Sequence, residues 1–228
     1  MAVQDDVREI ELREIFGLVE SGGGRSGIDA LMLVDDVKIE FELKSVTRGG
    51  VTTVRDFGRA HIEKWRTRHW LIGKYDPKGN VLRECYYGSP EIMSVWINEK
   101  ADYIAPDFQL ANLAPDHLVI DDLYKVCKKK DRYSIEDAMK LHKKQYKKAE
   151  YEGLTDLNGG YSPTRMLEIL RARAKYLMER GSTLNNPHIP MKYIKDRCFK
   201  LNLESNPERQ LKSLVRQILT ESGKSQDQ

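Results

Sequence analysis

Residues 28–44, Ile-Asp-Ala-Leu-Met-Leu-Val-Asp-Asp-Val-Lys-Ile-Glu-Phe-Glu-Leu-Lys, decide how this chain folds. Two apolar runs flank Asp35-Asp36. The first is Ile28 to Val34. In the second, Val37, Ile39, Phe41 and Leu43 alternate with Lys38, Glu40, Glu42 and Lys44. Alternation at period two marks a strand with one face buried and one wet. A two-residue connection between two such runs predicts a hairpin. Val34 then faces Val37, and the same register brings Asp29 opposite Glu42. Residues so opposed share a face, about 4.5–5.5 Å apart. Lys44 follows on that face.

Two carboxylates set opposite each other repel. A divalent cation offsets the cost. Mg2+ suits the oxygen donors, since it binds through one or two carboxylates and keeps several waters. Lys44 then stands beside one of those waters. The bland alternative is a surface hairpin whose outer face carries solvated ion pairs. Asp29 argues against it, because an acid inside an apolar run needs a partner.

The spacing Gly27-Ile28-Asp29, then Glu42-Leu43-Lys44-Ser45, resembles the motif of the PD-(D/E)XK nucleases. Ile28 stands where the motif name has Pro. The resemblance covers roughly residues 5 to 105. It implies a mixed β-sheet flanked by helices, with Mg2+ held by Asp29 and Glu42. Lys44 is implied to orient or help deprotonate the attacking water and to stabilise charge on the phosphorane. In this family an N-terminal helix often adds one acid, here Glu14 or Glu11.

The order of elements agrees with that core. Residues 4–20 read as a helix with Val7, Ile10, Ile15, Leu18 and Val19 at helical spacing. Ser21 to Gly27 is a Gly-rich connector, or a loop permitting close backbone approach to a phosphate chain with Arg25 as its charge. It is no P-loop, because no Gly-Lys-Ser/Thr closes it. A helix is predicted over Val54–Arg66, with Phe57, Ile62 and Trp65 inward and Arg55, Arg59, His61 and Lys64 outward. Strands follow over His69–Tyr75 and Val81–Tyr87. Ser89 and Pro90 cap a helix running to about Ile104. Strand, helix, strand suggests a right-handed crossover. Residues 105–135 read as irregular. Helices are predicted over 134–152, from Pro163 to about Arg180, and over 189–203 and 206–221.

The chain has 228 residues, 32% charged and 40% hydrophobic, which suits a globular fold with a sizeable core. No apolar stretch reaches membrane-spanning length, and Asp5 and Asp6 stand where a signal peptide has its apolar segment. Three widely spaced cysteines form no zinc pattern and suit a reducing compartment. The expected location is cytoplasmic. None of the five histidines has a metal-ligand spacing, and no Gly-x-Ser-x-Gly elbow is present. The net charge of +3 hides a polarity: residues 125–150 hold ten basic and four acidic side chains, while the first 25 hold three and six. Basic stretches favour a polyanion, although a solvated helix face carries the same composition.

The expected architecture is a nuclease core over residues 1–125 and a basic helical region over 126–228 for DNA binding, dimerisation or both. The expected function is Mg2+-dependent cleavage of double-stranded DNA. By resemblance to type II restriction endonucleases it is sequence-specific and performed by a homodimer. The expected DNA contacts are Arg25, Ser45, Arg55, Arg59, His61, Lys64, Lys143, Lys144, Lys147 and Lys148. Two other readings stand beside it: a structure-selective repair or recombination nuclease, and a DNA-binding protein whose acidic hairpin is only structural.

Overall fold

A computed structural model of the protein describes residues 4–21 and 27–224. In chain order the elements begin with helix α1 (Gln4–Phe16), strands β1 (Ala30–Val34), β2 (Val37–Val46) and β3 (Val51–Thr52), and helix α2 (Arg59–Trp65). Strands β4 (His69–Tyr75) and β5 (Leu82–Gly88) precede helix α3 (Pro90–Leu113). Next come a 3-10 turn (Ala114–His117), α4 (Ile120–Cys127), β6 (Tyr133–Ser134), α5 (Ile135–Leu141), α6 (Lys148–Gly153), β7 (Gly160–Tyr161) and α7 (Pro163–Gly181). The chain ends with β8 (His188–Ile189), α8 (Met191–Arg197), β9 (Phe199–Leu201) and α9 (Pro207–Lys224).

The fold is mixed α/β, with a mixed sheet of order β1-β2-β4-β5-β9 flanked by helices. β2 and β4 are parallel, joined through α2, and every other neighbouring pair in this sheet is antiparallel. The hairpin register is the one read from the sequence: Val34 pairs Val37 and Ala30 pairs Phe41. Asp35 and Asp36 have φ of 48° and 64°. Two left-handed residues make the turn whose twist matches the strands it joins. Arg216 of α9 clamps it, donating from Nε and a terminal nitrogen to the Asp35 carboxylate at 2.6 and 2.7 Å.

One sheet face buries Phe41, Leu43, Leu71 and Tyr87 against Leu12 and Phe16 of α1 and Leu211 and Val215 of α9. Each such side chain contributes about 1.5–3 kcal/mol. The apolar stripe expected on α1 is corrected here. Val7 and Ile10 are 54% and 43% exposed, whereas Leu12 and Phe16 are fully buried. The helix ends at Gly17, whose φ of +62° stops it, so Leu18 and Val19 are not helical, and Val19 forms an isolated bridge with Leu31. The other face carries an aromatic cluster in which Trp65 meets Trp70 edge-on at 4.8 Å, with Phe57 and Trp96 beside them. Phe57, Ile62 and Trp65 point inward as read from the sequence. The helix there starts only at Arg59, because Phe57 exchanges backbone hydrogen bonds with Leu184.

The chain divides into two compact units. One comprises residues up to Ala101 together with those from Leu184 onward, and the other Asp102–Thr183. The division thus falls elsewhere than between residues 125 and 126. The reason is pairing: β8 bonds to β3, β9 supplies the sheet's fifth strand beside β5, and α9 packs on α1. The helix expected over 189–203 is therefore α8 followed by β9.

In the second unit, residues 105–135 are far from irregular, since α3 continues through Pro106 to Leu113 and α4 follows. The single helix expected over 134–152 is broken. Lys143 and Lys144 both have φ of 56°. That reversal lays the Tyr146 ring 4.2 Å from the His142 ring and brings the Tyr151 hydroxyl 3.2 Å from His142 Nδ1. Tyr133, Tyr151, Tyr161 and Met166 form this unit's buried core. Among the described residues no helix is long and apolar enough to cross a membrane.

Candidate active site

β2 outruns β1. The ladder between them stops at Ala30–Phe41, while β2 continues to Val46. On that side the backbone of β2 beyond Glu42 has no strand partner among the described residues, and Asp29 supplies an acceptor: its Oδ2 accepts the Leu43 amide at 2.9 Å. Arg13 of α1 donates to the Asp29 carbonyl at 3.3 Å. Asp29 has therefore left the ladder instead of standing squarely opposite Glu42. It still reaches the same cluster, because Lys44 Nζ lies 3.7 Å from Asp29 Oδ2 and 2.7 Å from Glu42 Oε1. The ammonium relieves the repulsion that the hairpin register creates.

Glu42 is 2% exposed. A buried carboxylate is costly unless cations hold it. Besides Lys44, Lys64 of α2 lies 3.6 Å and Arg68 3.7 Å from Oε2. Burial pushes the Glu42 carboxyl up, but Lys44, Lys64 and Arg68 together outweigh it, and its pKa lies below the ordinary value. Lys44 mirrors this. Burial disfavours its charge, yet Glu42, Asp29 and Glu9 raise its pKa above the ordinary lysine value. Its place between two carboxylates suits its ammonium to stabilise negative charge.

The acid that α1 brings to this cluster is Glu9. Burial first, and the charge of Asp29 second, raise its pKa. Glu14, expected in that place, is exposed, and Glu11 bonds to the Tyr75 hydroxyl. Glu9 and Glu14 lie about 140° apart around the helix. The sequence signal was the true stripe, since Glu9, Leu12 and Phe16 follow one another at helical spacing. Arg68 was missed because it adjoins Glu42 only through the parallel pairing of β2 with β4, where Glu42 pairs Trp70.

Of the expected DNA contacts, Lys64 has joined the cluster and Ser45 accepts a hydrogen bond from Arg8 at 3.4 Å. Arg55 and Arg59 are exposed before and at the start of α2. His61 is half-buried between the Phe57 and Trp65 rings, and burial, then Lys64, lower its pKa. Lys143, Lys144, Lys147 and Lys148 belong to the second unit, on the turn after α5 and the start of α6. Arg25 lies outside the described residues.

Among the described residues, no three His, Cys, Asp or Glu side chains are gathered closely enough to hold a metal ion. Two carboxylates, Asp29 and Glu42, share one cation, Lys44. Glu42 Oε2 is buried and has no hydrogen-bond partner among the described residues. Both carboxylates are hard oxygen donors of the kind Mg2+ takes, and Lys64 and Arg68 face Glu42 Oε2 at 3.6 and 3.7 Å. No protein-family model matches the chain, and no curated protein matches it in sequence.

Proposed function

We propose that this chain is a Mg2+-dependent deoxyribonuclease with a PD-(D/E)XK-like core, hydrolysing phosphodiester bonds in double-stranded DNA. The observation that carries the reading is the Lys44 ammonium set between Asp29 and a buried Glu42 that keeps one oxygen without a hydrogen bond. Asp29 and Glu42 hold the metal. When bound, it supplies Lewis-acid polarisation of the scissile phosphate and acidifies water. Lys44 stabilises the negative charge that builds on the phosphoryl oxygens. Glu9, whose carboxyl holds a proton more readily than an ordinary glutamate, is the group suited to exchange a proton with the attacking water. Lys64 and Arg68 keep Glu42 ionised in its buried position.

By the same reading the substrate is a specific duplex sequence, as for a type II restriction endonuclease. Two copies related by a two-fold axis cut the two strands, because one such site hydrolyses one bond per event. The test is a plasmid digest with and without Mg2+, run alongside light scattering of the protein on a short cognate duplex. Discrete fragments and a two-to-one complex are expected. Cutting confined to flaps or junctions points instead to a structure-selective nuclease. Duplex binding with no Mg2+-dependent cutting leaves a binding protein with a structural hairpin.

A further inference from the structure

A cavity of about 330 Å³ opens beside Lys44, and Arg8, Glu9, Ser45, Thr47, Arg48 and Thr52 line it. Its position follows from the same local event that builds the site. β2 runs on without β1 to Val46, turns at Gly49, whose φ is +69°, and returns as β3. β3 is anchored by pairing with β8. At Gly50 a Cβ would stand 2.7 Å from the Ile189 carbonyl oxygen, so only glycine allows that approach. The wall of the cavity is therefore a pinned turn.

The wall is mostly polar, and three of its charged side chains, Arg8, Lys44 and Arg48, are cations against one acid, Glu9. Such a lining selects an anion over a cation or an apolar group. Arg8 is held in place. Its Nε donates to the Gly79 carbonyl at 3.2 Å, one terminal nitrogen donates to Ser45 Oγ at 3.4 Å, and its guanidinium lies 5.1 Å from the Tyr75 ring centre. Arg48 is exposed, and its guanidinium has no hydrogen bond or ion pair among the described residues. A fixed guanidinium, an uncommitted one and the Thr47 hydroxyl match a phosphate, whose oxygens accept from several directions; the Thr52 hydroxyl is engaged with His188 Nδ1 at 3.4 Å.

We propose that this cavity binds a phosphate of the cleaved strand next to the one Lys44 addresses, with Arg48 and Arg8 as its cations and Thr47 as a hydroxyl donor. The proposal rests on the nuclease reading of Asp29, Glu42 and Lys44. It adds how the strand is positioned: the scissile bond is set by a neighbouring phosphate seated in a rigid turn. That phosphate is either an internal diester or a terminal monoester, and the chemistry of recognition is common to both.

The experiment measures duplex binding by fluorescence anisotropy, using the full chain carrying Asp29→Asn so that substrate survives. Short duplexes bear a single neutral methylphosphonate at successive positions, and a parallel set carries or lacks a 5′-phosphate. The expected result is that one position, or the 5′-phosphate, matters about tenfold, that adding Arg48→Ala costs about tenfold on the unmodified duplex, and that the two losses do not add. A sensitive internal position identifies the diester, and sensitivity to the 5′ end alone identifies the monoester. Thr47→Val should show a smaller loss at the same position. Melting temperatures of Arg48→Ala and its parent should agree, because Arg48 is exposed. If duplex is bound and cut but Arg48→Ala and Thr47→Val bind as the parent does, or if losses add at every position, the cavity is an ordinary water-filled cleft and the proposal falls alone. If binding shows the non-additive pattern and the wild type never cuts, the phosphate site stands and the nuclease reading falls. If no duplex binds, both fall.

Discussion

Oδ2 of Asp29 accepts the backbone amide of Leu43 across the hairpin at 2.9 Å. One carboxylate thus closes the open edge of β2 with one oxygen and faces Lys44 with its charge. The two roles separate by substitution. Asp29→Asn keeps an oxygen acceptor for the Leu43 amide, so unfolding free energy should change by less than about 1 kcal/mol. Cleavage should fall about a hundredfold or more, since the charge is gone. Asp29→Ala should lose both. Near-wild-type cutting by Asp29→Asn in a Mg2+-containing plasmid assay would remove Asp29 from the site.

The two glutamates on α1 separate in the same assay. Glu9→Gln should slow cleavage about a hundredfold. Glu14→Gln, on the exposed side of the helix, should leave it unchanged. The reverse ranking would mean that α1 is turned differently about its axis.

How far the site was legible follows from which contacts are local. The hairpin and its register were, because strand alternation and the Asp35-Asp36 turn lie within seventeen residues of one another, and Asp29, Glu42 and Lys44 came with them. Strand β4 was legible for the same reason, as a continuous apolar run bounded by turn residues. Glu9 was not, because two exposed residues, Val7 and Ile10, imitate an apolar stripe and displace the true one by a fraction of a turn. Arg68 and β9 were not, because each depends on a pairing between segments distant in sequence. Phe199-Lys-Leu201 in particular has too few residues for a period to show.

His69 makes stability depend on pH. Its ring is 5% exposed, with Nδ1 2.7 Å from the Tyr87 hydroxyl, and burial pushes its pKa down to about 4. In the unfolded chain it takes a proton near the ordinary histidine value of about 6.5. The unfolded state therefore binds more protons between those values. The stability His69 contributes is complete above pH 6.5 or so and is lost as pH falls toward 4, by up to about 3 kcal/mol. Urea unfolding of the wild type and His69→Phe at a series of pH values between 7 and 4 checks this. The variant should be less stable at pH 7, because Tyr87 loses its partner, and its stability should fall less steeply over the same window. Parallel slopes would assign the acid sensitivity to another group.

The lysines of the second unit test electrostatic binding. If Lys143, Lys144, Lys147 and Lys148 face phosphates, each contributes about 0.9 to the slope of log K against log salt. Replacing the four with Gln should flatten the slope measured by filter binding and weaken all duplexes alike, leaving any sequence preference intact. An unchanged slope would make them solvated surface, with Lys148 occupied by its 3.7 Å ion pair to Glu152.

The late return of Phe199–Leu201 to the edge of β5 bears on biosynthesis. A nascent chain that has emerged through Thr183 carries everything the second unit needs, yet its large sheet still has an unfilled edge along Cys85–Tyr87. Such a row of unpaired amides and carbonyls is a template for any passing strand. Until β9 is made, that edge is exposed to aggregation. A C-terminal truncation that removes β9 makes that vulnerable interval permanent.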